Sequence, residues 1–472
     1  MTRHTPPVIQ TRDQAEAFLD ARIGSGVRPG LERISGLLEY MGDPQNSFPS
    51  IHIAGTNGKT TTARMIQQIL GSLGLSTGGF TSPHLHTVEE RFSLAGRVID
   101  GETFVSTVSD MAWFVSAYEL EHDTTVTYFE VTAALAFLLF ANAVVDVGVT
   151  EVGLGGRLDA TNVLEADVSV ITGIDIDHVE FLGSTIAAIA GEKAAIVKQG
   201  GTLVTGPLPD EATQVVAARV AETEANWIVA DADYQVTAAE VAVGGWLCSI
   251  SGVFGEYDEI YLPIHGRHQV DNLATAIAAC EMFLGRALDE SSLPMAVGSI
   301  TAPGRLEVVR RHPLVIIDGA HNAQGFMGLA ATLDEEFPAL PWKLVLGLRG
   351  ERSAAALVGP LLGAVTQVYA AAAGDPAAVD PLTVAHDAAA ALGVPAQAFE
   401  SPELALAEAI ADAGPEGGVV VAGSLYLAGD LREAFDIRAD HSSEAHVRYE
   451  AEVPDNPDDD DDAASWEESE IF

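Results

Sequence analysis

Short β-branched runs alternate with longer segments of helical period through most of this chain. PSIHIAG (49–55) predicts a buried strand, and the amphipathic run TTARMIQQILGSLG predicts the helix that follows it. VVDVGVTEV (144–152), ADVSVITGI (166–174) and GGTLVTG (200–206) predict further buried strands. Around residues 230–262 the pattern shortens and alternates, predicting antiparallel strands at the sheet edge, and VDNLATAIAACEMFLG (270–285) predicts a helix. TAPGRLEVV (301–309) reads as a linker opening a second α/β unit with strands at PLVIIDG (313–319), WKLVLGL (342–348), TQVYAAA (366–372) and GGVVVAGS (417–424). Strands separated by helices predict mostly parallel sheets covered by helices. The most apolar stretch, 131–149, is interrupted by Asn142 and Asp146 and predicts a buried helix leading into a strand, not a membrane span. After residue 437 the chain is acidic and rich in Pro and Asp, predicting a disordered, solvating tail.

Composition sharpens this. The 472 residues carry 24 basic against 68 acidic side chains, a formal net charge of −44, which would repel nucleic acid and anionic membranes. Residues 440–472 hold 13 of those 68 acids, so the tail alone does not make the surface acidic. Acid spread along the chain predicts a protein from a halophile, working in strong salt where self-repulsion is screened. Two cysteines, Cys248 and Cys280, predict buried small hydrophobes in a reducing compartment, and MTRHTPPVIQ has no apolar leader core. The expected setting is the cytoplasm, and the expected state a monomer.

HIAGTNGKTTTARM places Gly55, Thr56, Asn57, Gly58, Lys59, Thr60 and Thr61 between a predicted strand and helix. Glycines let the backbone turn its N–H groups toward an anion, the helix N-terminus adds partial positive charge, and a lysine and a hydroxyl can serve phosphate and Mg²⁺. The general G-x-x-x-x-G-K-[ST] pattern is not met, since Ile53 stands at its first glycine.

The variant GTNGKTT resembles the Mur ligase superfamily, ATP-dependent amide-forming ligases. Further stretches are similar to the folylpolyglutamate synthase and dihydrofolate synthase family: LERISGLLEYMGDPQ (31–45), TSPHLHTVEER (81–91), TYFEVTAALAF (127–137), EVGLGGRLDATN (151–162), DHVEFLGSTIAAIAGEKAAIVKQG (177–200), PGRLE (303–307), IDGAHN (317–322) and GSLYLAGDLR (423–432). The likeness runs from about residue 12 to 436. Two positions depart from it: GKTT stands where the folate enzymes usually have GKG[ST], and EKAAI where they have EKAGI.

The resemblance implies an α/β fold, with a phosphate-loop ATPase unit on a mostly parallel sheet followed by a smaller Rossmann-like α/β unit. The expected divisions are 1–300, 301–436 and the tail 437–472. It implies ligation of L-glutamate to a folate-type carboxylate, tetrahydrofolate or dihydropteroate, through an acyl phosphate. Mg²⁺ and ATP are then the expected cofactor and co-substrate, with a monovalent cation besides. By the same resemblance Thr60, Ser82, Glu151 and His178 hold the metal. Asn272, Arg305 and Asp318 join the phosphate loop in holding ATP. Thr127, Tyr128, Phe129, Glu130, Gly156, Arg157 and Asp159 line the folate side, and His321 lies in the cleft between units.

Lysine is nearly absent: of the 24 basic residues only Lys59, Lys193, Lys198 and Lys343 are lysines. Lys198, just before Gly200-Gly201, reads as a last-turn cation at a helix C-terminus. Lys193 has Ile189, Ala190, Ile196 and Val197 at helical neighbour positions, so its ammonium falls on an apolar face. Burial lowers the pKa of such an amine, and the resemblance makes Lys193 the lysine that becomes carbamylated. Two rival readings are a Mur ligase acting on a UDP-sugar peptide, suggested by GKTT, and an inactive nucleotide-dependent binding protein. The presence of Lys59, Glu151, His178 and Lys193 argues against the latter.

Overall fold

The computed structural model describes residues 7–435 except Val27 and Ala339, so the acidic segment 437–472 lies outside the described residues. Among the described residues eight strands form the first sheet, in the order Arg97–Val98, Phe92–Leu94, Thr77–Phe80, Val147–Glu151, Ser50–Ala54, Val168–Ile171, Thr202–Thr205 and Asn226–Val229. Its first two pairings are antiparallel and the rest parallel. A six-stranded sheet follows: Glu307–Arg311, Leu314–Ile317, Gly418–Ala422, Trp342–Leu346, Val365–Ala370 and Ala396–Ala398, antiparallel only at its first pairing. The protein is therefore α/β, with two mostly parallel sheets in series, as the alternation of strands and helices predicts.

Parallel strands buried on both faces read as continuous apolar runs. Ser50–Ala54, Val147–Glu151 and Val168–Ile171 have every residue buried. Helices Lys59–Ser72 and Arg267–Leu284 share one core with strands of the large sheet, through Ile66, Ile69, Leu273 and Ile277. Around Phe80, helices Glu32–Tyr40, Gly101–His122 and Tyr128–Ala143 build another. The 131–149 stretch is a buried helix running into a strand. Among the described residues no helix is long and apolar enough to cross a membrane.

Two expectations need correcting. The strands around 230–262 do not extend the large sheet; Gln235–Ala242, Gly245–Ser251 and Glu256–Leu262 form an antiparallel sheet of their own. Alternate residues Trp246, Cys248 and Ile250, with Tyr257 and Ile260 on either side of a register shift in the neighbouring strand, enter the core shared with helix Arg267–Leu284, and that burial fixes the sheet's place. The helix carrying Lys193 is Ile186–Ala194, so Lys198 lies beyond it and not in its last turn. Its amine donates to the Asn162 carbonyl at 2.9 Å. Cys248 and Cys280 are both buried free thiols.

Candidate active site

Open α/β sheets present ligand sites beyond the carboxyl ends of their strands. Here Gly55, Glu151 and Thr172 stand at the ends of three adjacent parallel strands of the large sheet. In the second sheet Asp318 directly follows the strand Leu314–Ile317, and Ser424 lies two residues past the neighbouring strand Gly418–Ala422. The two edges face one another across a cavity of about 710 Å³.

On the first side, Gly58 opens helix Lys59–Ser72 with φ +83°, a left-handed conformation that glycine adopts freely. A Cβ there would also lie 2.6 Å from Asn272 Oδ1, so the loop turns tightly beneath a side chain delivered by a distant helix. Lys59 curls back, its Nζ donating to the carbonyls of Gly55 at 3.0 Å and Thr56 at 3.2 Å. Thr60 Oγ1 donates to both oxygens of Glu151, at 3.1 and 2.9 Å, and the Ser82 N–H donates to Glu151 Oε2 at 3.1 Å. Burial pushes the Glu151 carboxyl above its ordinary range, against the opposing pull of Lys59 and the Ser82 and Thr60 hydrogen bonds. One carboxylate flanked by two hydroxyl-bearing residues is a hard oxygen set of the kind that suits Mg²⁺. Lys193 is 4% exposed, and its Nζ donates to the Gly55 carbonyl at 2.8 Å. Burial, reinforced by the charge of Lys59, lowers its pKa to about 7.

His178 lines the same cavity, in a left-handed conformation just before a short helix. Its ring nitrogen stands 4.0 Å from Asp177. Among the described residues no three His, Cys, Asp or Glu side chains gather as a metal site; the structure groups Glu151 with the Thr60 hydroxyl and the Ser82 N–H and leaves His178 with Asp177.

The second unit contributes Arg305, Asp318 and His321 to the cavity wall. Asp318 is fixed by the N–H groups of Leu306 at 2.9 Å and Ala320 at 2.8 Å. The His321 ring is fixed through Nδ1 to the Gly319 carbonyl at 2.7 Å. Asn272 reaches in from the first unit, its amide donating to Gln269 Oε1 at 2.9 Å.

The residues expected on the folate side do not line this cavity, and most of their polar atoms bond to the protein itself. Thr127 and Glu130 form a capping box at the start of helix Tyr128–Ala143, and Glu130 is ion-paired to Arg33 at 2.9 Å. Tyr128 lies beneath the Arg91 guanidinium, and Phe129 packs against Phe80. Asp159 is buried, accepting from Leu154 N at 2.8 Å and Thr161 N at 3.0 Å. Arg157 is an exposed partner of Glu192 at 2.7 Å. Gly156 runs so close to the Lys193 helix that a Cβ would lie 2.5 Å from the Glu192 carbonyl oxygen.

Asp177, Arg349, Arg352 and Tyr426 line the cavity without having been singled out by sequence. Asp177 faces three side chains of the second unit: Asn322 at 2.9 Å, His321 at 3.5 Å and Arg352 at 3.6 Å. Burial opposes ionisation, but hydrogen bonds from His321 and Asn322 hold its carboxyl well below the usual range. Arg349 pairs with Asp375 and lies 5.0 Å over the Tyr426 ring. The available signal was GLRGERS, a basic loop directly after a predicted strand.

The chain matches the Mur ligase middle domain over residues 53–280, and the Mur ligase glutamate ligase domain over 304–425. It is similar to the dihydrofolate synthase/folylpolyglutamate synthase of Mycobacterium tuberculosis, 37% identical over 463 residues, spanning 91% of this chain and 95% of the relative. It is 34% identical to a probable bifunctional folylpolyglutamate synthase/dihydropteroate synthase of Halobacterium salinarum, covering 89% of this chain and 51% of that one. Among solved structures, Mycobacterium tuberculosis folylpolyglutamate synthase complexed with ADP and AMPPCP superposes with a TM-score of 0.86 at 38% identity, covering 90% of this chain and 98% of that one. A folylpolyglutamate synthase complex with AMPPCP and folate gives 0.76 at 31% identity, over 90% and 99%.

Proposed function

Because this chain belongs to the folylpolyglutamate synthase/dihydrofolate synthase family of Mur ligases, we propose that it joins L-glutamate to a folate-type carboxylate, driven by ATP. The carrying observation is convergence: Lys59, Thr60, Ser82, Glu151 and Lys193 from one sheet meet Arg305, Asp318 and His321 from the other in one cavity.

Amide formation requires that a carboxylate become an electrophile, and phosphoryl transfer from ATP gives an acyl phosphate that an amine can attack. The terminal phosphates would lie against the loop Gly55–Thr61, with Lys59 as a cation beside them and the helix N-terminus behind. Asp318, at the end of a strand, suits a ribose hydroxyl, while the family resemblance gives Asn272 to the base and Arg305 to the phosphates, and all three line the cavity. Glu151 with Thr60 and Ser82 would hold Mg²⁺, which when bound supplies charge to the phosphate oxygens; His178 is the further ligand assigned there. Lys193, an amine with lowered pKa among apolar neighbours, is suited to carbamylation, which replaces a buried cation by an anion near the same centre. His321 and Asp177, 3.5 Å apart in the cavity wall, would be available to the incoming glutamate. The folate-type substrate would approach from the Gly156–Asp159 loop and the Thr127–Glu130 turn, which Phe129 joins to the end of the Glu151 strand by packing on Gly153.

The test is incorporation of labelled glutamate with dihydropteroate, tetrahydrofolate and a UDP-sugar peptide offered separately. Incorporation with either folate-type acceptor and not with the peptide supports the reading. Incorporation with the peptide alone overturns it.

A further inference from the structure

Ser82, Ser424 and Tyr426 line the cavity; the rest of the segments TSPHLHTVEER (81–91) and GSLYLAGDLR (423–432) has no part in the chemistry above, yet the structure fastens one to the other. Within the first, the Glu90 carboxylate accepts from the N–H groups of Leu85 at 2.8 Å and of His86 and Thr87 at 3.0 Å. Those three bonds tie residues 85–90 into one body. The segment's start, three residues before that body, is tied to the phosphate site, since the Ser82 N–H donates to Glu151 Oε2 at 3.1 Å.

Its far end is tied to the second unit. Arg432 is 3% exposed, in the last turn of helix Leu425–Glu433. Its Nε and Nη2 donate to the two oxygens of Glu307, at 2.7 and 3.0 Å, a bidentate geometry that aims the remaining Nη1. That Nη1 lies 2.9 Å from His86 Nε2. A guanidinium only donates, so the imidazole nitrogen is the acceptor. Burial, with Arg432 beside it, pushes the His86 pKa down and keeps it in that accepting form. Backbones touch next to this pair: a Cβ on Gly429 would lie 2.5 Å from the Leu85 carbonyl oxygen, and the Leu85 side chain reaches within 3.4 Å of where one would sit on Gly304. Glu307 Oε2 also accepts from the Gly304 N–H at 2.8 Å.

We propose that Arg432 is a positioning residue: by holding His86 it seats the loop 82–90, so that the placement of Ser82 against Glu151 depends on the seat of the second unit. Arg432 touches no reacting group. It acts through His86, across three intervening residues, on the hydroxyl-bearing end of the loop. The catalytic consequence rests on the ligase reading above; the mechanical link does not.

The experiment uses the full chain and the variants Arg432→Gln, Arg432→Lys and Gly429→Ala, each first shown to unfold cooperatively. Hydrogen exchange of the amides in 82–91 is measured together with glutamate-dependent turnover as a function of Mg²⁺ concentration. In Arg432→Gln, exchange at Leu85–Thr87 is expected to rise at least about fivefold, the lower end of ordinary coupling between sites. The Mg²⁺ concentration for half-maximal turnover should rise with it. Arg432→Lys, which keeps charge but not the fork, should fall between. If Arg432→Gln does not fold, Gly429→Ala pushes on the same loop from the helix side and serves in its place. Parent-like exchange in a folded Arg432→Gln overturns the link. Faster exchange with parent-like Mg²⁺ dependence overturns its bearing on Ser82. A parent protein without glutamate-dependent turnover, whose variants still exchange faster, would sink the ligase reading and leave the link standing.

Discussion

Thr60 donates its hydroxyl to both carboxylate oxygens of Glu151, at 2.9 and 3.1 Å, joining the first turn of one helix to the end of the strand beside it. That bond sets the phosphate loop and the buried carboxylate in fixed register. Burial disfavours the charge on Glu151, so the residue burdens the fold while serving the site. Glu151→Gln should therefore reduce glutamate-dependent ATP turnover by about 10²-fold or more, with a thermal midpoint equal to or above the parent's. Lys59→Ala should lose turnover likewise. Parent-level turnover in either purified variant, in multimolar KCl, would refute the phosphate and Mg²⁺ assignment.

Lys193 presents the clearest pH signature. Its folded pKa of about 7 lies below the ordinary lysine value of 10.5. Between those values the unfolded chain binds a proton that the folded chain does not, so this residue's contribution makes stability rise with pH across that window and fall again toward pH 7. The neutral amine is also the form that reacts with CO₂. Activity should therefore fall in CO₂-depleted buffer at pH 8 and return with added bicarbonate, and Lys193→Arg should be inactive at any bicarbonate level. Undiminished turnover in Lys193→Arg would end the carbamate proposal.

Gly156 separates packing from substrate contact in the glycine loop. A methyl there meets the Glu192 carbonyl at 2.5 Å and the Lys193 Cα at 3.1 Å. Gly156→Ala should destabilise the protein by about 1–3 kcal/mol and lower turnover by displacing Lys193. Arg157→Ala, removing an exposed ion pair, should change stability by less than about 1 kcal/mol. Urea titrations of both variants decide it: equal midpoints would mean that the close approach of the loop to its helix contributes nothing.

His52 is fully buried on a central strand, its Nε2 2.8 Å from Thr161 Oγ1 and its Nδ1 without a hydrogen-bond partner among the described residues. Burial, with Lys198 nearby, lowers its pKa to about 3. Unfolded, it takes up a proton near pH 6.5, so between those values stability falls as the pH falls, by about 1.4 kcal/mol per pH unit at most. His52→Gln should flatten the acid limb of the stability curve by one proton. An unchanged slope in urea midpoints between pH 4 and 6 would contradict this.

A formal charge of −44 makes the folded chain repel itself. Raising salt from 0.1 to 1 M contracts the screening length from about 10 to about 3 Å. The thermal midpoint should climb steeply over that range in KCl and less beyond it. A flat or falling midpoint would show that the acidity has no such role in stability.

The alternation of strands and helices, the phosphate loop and the apolar setting of Lys193 are all local patterns, and each was legible because its cause lies within a few residues. Periodicity reports which face of an element is buried, and glycines before a helix report an anion-binding turn, whatever surrounds them. What covers a buried face is decided elsewhere in the chain. The strands of 235–262 have the alternation of an edge, yet the helix Arg267–Leu284 draws their apolar face into its own core. Thr127, Glu130 and Asp159 have the polarity of a binding surface, yet caps and nearby backbone N–H groups take most of their hydrogen bonds. Asp177 and Arg352 became neighbours only because two sheets face each other, and Arg432 reaches His86 across 346 residues. No periodicity extends so far; only the packing of one core against the other brings such groups within hydrogen-bond reach.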